Sequence, residues 1–192
     1  MAKLSDSTAF PEATSLTDDA LIYAVDNSGV TPASKAVELQ YVLAQVKNYG
    51  QLSVAGNTTA QTVSASTWTK IDAFDTAAAG YQNGVTATSG ASHKLVPGRT
   101  GKYRVTYSLC LKATSGNTEV KVVTYMDSTA ESQTQTFQKV ANGYTSQVGG
   151  TAVIDVTSLS GTAADLSLYF YVSQTEMLVT DGQLFIERID NT

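Results

Sequence analysis

The chain has 192 residues but only one cysteine and one histidine. A lone cysteine, Cys110, excludes an internal disulfide framework and a multi-cysteine metal site. Zinc sites need several Cys or His ligands, and Cys110 with His93 cannot supply them. Charged residues make up 15%, well below the roughly 25% of ordinary soluble domains. Lys and Arg number 12 against 17 Asp and Glu, a net charge of −5, and they are scattered. Nothing resembles the basic footprint that a phosphate backbone requires, so nucleic acid is not an expected partner. No stretch approaches the roughly 20 consecutive apolar residues of a membrane-spanning helix. The opening "MAKLSDSTAF" has no apolar run after its lysine, so the reading is a protein made in the cytoplasm and not exported by a standard signal.

Catalytic patterns are equally scarce. A Ser-His-Asp triad would have to use His93, which lies in "SGASHKLVPG" without a nucleophile-elbow motif. It reads as a solvated or strand-edge histidine. Cys110 reads as a small strand residue near the interface of two layers. The glycines of "QVGGTA" lack the lysine of a phosphate loop. Asp18 with Asp19, and Asp127 with Glu131, are acidic pairs of the kind any acidic chain offers. Asn57-Thr58-Thr59 matches a glycosylation acceptor by pattern only. No catalytic residue, cofactor or metal ligand is expected, and the chain does not read as an enzyme.

What is present is alternation. In "GKYRVTYSLCLKAT" the residues Tyr103, Val105, Tyr107, Leu109 and Leu111 fall on every second position, with Lys102, Arg104, Thr106, Ser108, Cys110 and Lys112 between them. Side chains alternate faces along a strand, so this is a long strand with one face buried. Further strand candidates surround it at 67–75, 91–96, 118–127, 133–140, 150–158, 165–174 and 182–189, separated by turn-rich segments such as "VPGRTG", "TSGN" and "ANGY". Eight antiparallel strands at this spacing predict a jelly-roll β-sandwich over residues 67–192. In "DLSLYFYV", Leu166, Leu168, Phe170 and Val172 occupy one face while Tyr169 and Tyr171 occupy the other. A strand apolar on both faces is usually covered on both, so Tyr169 and Tyr171 are candidates for a subunit interface.

The first fifty residues differ. Leu4, Phe10 and Leu16 stand without periodicity in an extended arm. "ALIYAVD" and "ASKAVEL", joined by the turn chemistry of "NSGVTP", predict a hairpin. In "VELQYVLAQVKNYG" the residues Leu39, Val42, Leu43 and Val46 sit at helical spacing and Gly50 is placed to end a short helix. Residues 1–50 therefore predict a small α/β anchoring module (extended arm, hairpin, short helix), and residues 51–66 a linker or edge segment. Such a module is too small to hold a core of its own, and Leu4, Phe10 and Leu16 are its candidate attachment residues.

Two resemblances bear on function. The strand carrying Gly101, Tyr103, Val105, Tyr107 and Leu109, with the final apolar strand carrying Leu184 and Ile186, resembles the jelly-roll heads of the tumour necrosis factor-like superfamily. The usual "L-x-x-G-D" is replaced here by "LSGTAAD", Leu159 to Asp165. That resemblance implies a homotrimer. The N-terminal segment, through Leu16, Asp18, Asp19, Leu21, Ile22, Val25, Asp26, Lys35, Val37 and Leu39, resembles N-terminal modules of tailed-bacteriophage fibre and capsid-decoration proteins. Together they imply a trimeric decoration (cement, or head-fibre) protein on the outer surface of a phage capsid, bound to the major capsid protein through residues 1–50. The alternative is a short tail fibre or spike whose head binds a host-cell receptor.

Overall fold

The computed structural model describes residues 21–26, 33–38, 48–77, 82–89 and 92–190. The chain divides near residue 47 into two compact units. In the first, β1 (Leu21–Asp26) pairs antiparallel with β2 (Ala33–Glu38), in register from Leu21↔Glu38 to Asp26↔Ala33. This is the expected hairpin. Leu4, Phe10 and Leu16 lie outside the described residues.

The second unit contains only strands among its described residues: β3 (Tyr49–Val54), β4 (Gln61–Thr62), β5 (Trp68–Lys70), β6 (Thr76–Ala77), β7 (Val85–Thr88), β8 (Lys94–Pro97), β9 (Gly101–Ala113), β10 (Thr118–Met126), β11 (Thr129–Val140), β12 (Thr145–Val156), β13 (Leu166–Val172) and β14 (Glu176–Arg188). One sheet runs β11-β10-β13-β8-β7, with β5 also on β13. The other runs β12-β9-β14-β3-β6, with β4 also on β14. Every pairing is antiparallel. The two sheets form a jelly-roll β-sandwich.

Alternation explains the packing. Tyr103, Val105, Tyr107, Leu109 and Leu111 of β9 point inward and are at most 2% exposed. Facing them in the same core are Val120, Val122, Leu166, Leu168, Phe170 and Val172 from β10 and β13. Each such side chain stabilises the fold by about 1.5–3 kcal/mol on burial. Tyr107 also crosses between the sheets: its hydroxyl lies 2.7 Å from both Thr134 O and Thr136 Oγ1. Burial raises the Tyr107 pKa above its ordinary value, although the hydrogen bond to Thr136 opposes the shift.

Two expectations need correction. The segment read as a helix ending at Gly50 begins in β2, with Val37 and Glu38, and ends in β3, with Tyr49 and Gly50; residues 39–47 lie outside the described set. Gly50 is a strand residue rather than a helix stop. A Cβ there would come within 2.5 Å of Val85 Cγ1, so glycine permits β3 to pack against β7. Residues 51–66, read as a linker or edge segment, include most of β3, which pairs with β14 from Glu187↔Tyr49 to Gly182↔Val54 and buries Leu52 and Val54. The short strands β3, β4, β6 and β7 were absent from the sequence reading.

The chain enters this unit beside the place where it leaves. Arg188 N–H donates to Asn48 O at 2.7 Å. Arg188 is 2.8 Å from Asp190, with side chains 6% and 20% exposed. Asp190 Oδ2 accepts the Lys102 N–H at 2.7 Å. Gly101 beneath them has φ +133, and a Cβ there would meet Asp190 Oδ1 at 2.6 Å.

Candidate functional site

The outer face of the β11-β10-β13 sheet carries an aromatic and basic patch. Strand register builds it from four separate segments. Phe137 of β11 pairs with Lys121 of β10, Lys121 with Tyr171 of β13, and Tyr171 with Trp68 of β5. A second row places Val123 beside Tyr169, and Tyr169 beside Lys70. The rings pack on one another. Tyr125 and Tyr169 have centroids 4.1 Å apart, Trp68 and Tyr171 5.6 Å, and Trp68 and Tyr125 6.2 Å edge-on. Beneath this layer Val123 is 1% exposed although it lies outside the sandwich core. Tyr169 and Tyr171 thus gain cover from within the chain.

An open groove of about 770 Å³ lies at one end of this face. Tyr171, Val140, Lys121 and Lys139 line it, with Asn117 just before β10, Thr118 and Glu119 at its start, and Ser66 and Ser173 beside them. Lys121 Nζ stands 5.3 Å from the Tyr171 ring centroid, a cation–π distance. Among the described residues no carboxylate pairs with Lys121. Lys139 reaches Glu119 at 3.6 Å, with both side chains exposed. The wall is held by main-chain and hydroxyl bonds. Ser66 N–H donates to Val172 O at 2.7 Å with Ser66 at φ 57, Thr118 and Ser173 hydroxyls are 2.9 Å apart, and Asn117 Oδ1 accepts the Asn142 N–H at 2.9 Å. The groove lies at the Ala113 end of β9, because Asn142 bridges to Ala113. The chain enters at the opposite end, where Arg188 pairs with Tyr103. From Tyr103 to Ala113, at about 3.3 Å per residue, the separation is roughly 33 Å.

Lower on the same face Lys94 binds Asp165 at 2.6 Å, and Lys70 donates to Ser92 O. Burial lowers the Lys70 pKa and the Lys94 charge lowers it further, with Asp165 opposing. Asp165 closes the "LSGTAAD" segment and supplies the partner of Lys94.

The other sequence candidates form no catalytic set. His93 is buried rather than solvated, 7% exposed at φ 37. Its Nδ1 lies 3.0 Å from the main-chain Phe74 O. Burial lowers its pKa, against the opposing pull of that hydrogen bond and of Asp72. Cys110 sits half-buried on the outer face of the other sheet. Asp127 accepts from Thr162 and Glu131 from Gln133, each on its own. Asn57 Nδ2 donates to Val179 O at 2.9 Å, which commits the amide to the fold. Among the described residues no three Asp, Glu, His or Cys side chains are grouped to hold a metal. Asp18 and Asp19 lie outside the described residues. Sequence reasoning singled out Tyr169 and Tyr171 but missed Trp68, Tyr125, Lys121 and Phe137.

No family model and no curated protein matches the chain. Solved structures similar to it include the Eiger TNF of S. frugiperda, at 12% identity and TM-score 0.50 over 76% of this chain and 95% of that one. Others are the PRD1 vertex protein P5, at 17% identity and TM-score 0.43 over 74% and 97%, and murine APRIL at pH 5.0, at 10% identity and TM-score 0.47 over 75% and 100%. The likeness to Eiger shows a shared jelly-roll fold.

Proposed function

We propose that the chain is a non-enzymatic structural protein of a phage virion, a homotrimeric capsid decoration or head-fibre protein held on the major capsid protein by residues 1–50. The observation that carries this reading is polarity. Asn48, where the sandwich begins, lies at one end of it, while the aromatic groove occupies the other end. A module attached through its N-terminus would present that far end away from the particle. The N-terminal resemblance to phage attachment modules and the jelly-roll head support the same assignment.

Tyr169 and Tyr171 were the expected trimer contacts. Trp68 and Tyr125 cover part of them from within the chain, and we propose the outer face of the other sheet as a further contact. There the rows Gly149–Ser108–Gln183–Ser53 and Thr151–Thr106–Phe185–Gln51 cross four strands without a charge. Interface cores are depleted in charge. Light scattering should give three times the chain mass at micromolar concentration, and Ser108→Glu should lower it. A monomer only, in the unaltered protein, would end the trimer reading. Three arms on one trimer would reinforce each other by effective concentration. Full-length protein, the head from residue 47 onward and Phe10→Asp are then added to undecorated particles and the bound copies counted. The full chain should bind and the other two should not. Equal binding by the head alone would reject residues 1–50 as the anchor. Binding of the head to cells instead would favour the receptor-binding spike or tail-fibre reading.

A further inference from the structure

From the groove's own chemistry we infer that it is a binding site for a carboxylate-bearing saccharide. The inference rests on the sandwich alone and needs neither the trimer nor the arm. Its volume falls in the roughly 300–1,000 Å³ range of ligand sites, and three features select the ligand.

The first is charge. The chain is acidic overall, yet this groove presents two ammonium groups, Lys121 and Lys139, against one carboxylate, Glu119. Glu119 already pairs with Lys139. Tyr171 holds Lys121 without neutralising it, so one positive charge stays available to an anion. Two lysines are too few for a nucleic-acid backbone, whose recognition relies on many phosphate contacts.

The second is the mixture of ring and hydroxyl. Tyr171 of the lining lies beside Lys121, and Phe137, outside the lining and 50% exposed, stands on the other side of the same lysine in register. Sugar rings offer an apolar C–H face to such side chains and hydroxyls to Asn117, Ser66 and Ser173. The third is topology. The floor strands β10 and β13 are paired on both sides, so a peptide lying here finds no free strand edge to extend, the usual source of main-chain affinity for an extended peptide. The bonds that fix Ser66, Thr118 and Asn117 preorganise the wall, and preorganisation lowers the cost of binding.

The test is calorimetric titration of the full chain with an oligogalacturonate, with sialyllactose, with the uncharged counterpart of each, and with a polyglutamate peptide. At least one of the two acidic sugars should bind saturably and more weakly as salt rises. Its affinity should fall about tenfold in Lys121→Gln, as expected for one charge-assisted contact, and should also fall in Phe137→Ser. Lys112→Gln, on the other sheet, should leave it unchanged. The idea is overturned if neither acidic sugar binds, if Lys121→Gln binds as tightly as the unaltered chain, or if the uncharged sugars or polyglutamate bind equally well. Such an outcome would leave oligomeric mass and particle binding untouched, so the two readings fail separately.

Discussion

The hydroxyl of Tyr107 in one sheet reaches the carbonyl of Thr134 in the other at 2.7 Å. The acceptor lies where pairing between β10 and β11 shifts register, between Val122 and Thr124. A bulge of this kind leaves ladder groups to be satisfied by other means. Thr134 Oγ1 accepts the Thr124 N–H at 2.8 Å and donates to Glu131 O at 2.7 Å. Tyr107 then takes the Thr134 carbonyl. Tyr107→Phe should therefore cost about 1–3 kcal/mol, the penalty for stranding a buried acceptor. Urea unfolding measures it, and Gln135→Ala, at an exposed position of β11, should stay within about 0.5 kcal/mol.

Leu109 is fully buried, whereas Lys112 belongs to the outer face of the same strand. Leu109→Ala should cost about 2–5 kcal/mol, and Lys112→Ala little. Equal melting temperatures for the two variants would contradict the observed register.

The two ends of the sandwich unit meet at a pair of contrasting ion pairs. Asp190 sits against Arg188, whose side chain is 6% exposed, while Glu187 sits against Arg104, 53% exposed. Breaking a buried pair costs on the order of 3 kcal/mol, and an exposed one at most about 1 kcal/mol. Asp190→Ala should consequently lower the unfolding midpoint much more than Glu187→Ala. High salt should erase the smaller effect first.

His93 carries a pH dependence. Its folded pKa is lowered from an unfolded value of about 6.5, so the unfolded chain binds the proton more readily. The associated stability is whole above about pH 6.5 and is lost as pH falls from there toward the folded pKa. His93→Asn, which tolerates the positive φ, should flatten the stability profile in that window. An unchanged profile would show that carboxylates alone set the acid response.

Much of the sandwich was legible because its long strands bury one face only. The alternating stretch from Tyr103 to Leu111 lies wholly within β9, since five inward side chains alternate without interruption. Strand β3 was missed although Gln51-Leu52-Ser53-Val54 alternates too, because four residues of pattern in a small, polar stretch are too few to tell strand from linker. The helical spacing that ran up to Gly50 also drew Tyr49 and Gly50 toward the wrong element. The aromatic patch beside the groove could not be read at all. Phe137, Lys121, Tyr171 and Trp68 come from four strands, and only their mutual register makes them one row. Tyr169 and Tyr171 were visible as outward aromatics, but their cover, Tyr125 and Trp68, lay on other strands.

Because Asn48 leads directly into β3, a pull applied between Asn48 and the groove would travel along the strand axis. The ladder from Glu187↔Tyr49 to Gly182↔Val54 is then strained lengthwise, and its hydrogen bonds share the force together instead of opening one after another. Forced unfolding is governed by the unfolding barrier rather than by equilibrium stability. A sandwich loaded in this way should resist as a rivet plate does, and should hold under a force that would peel apart one pulled across its strands.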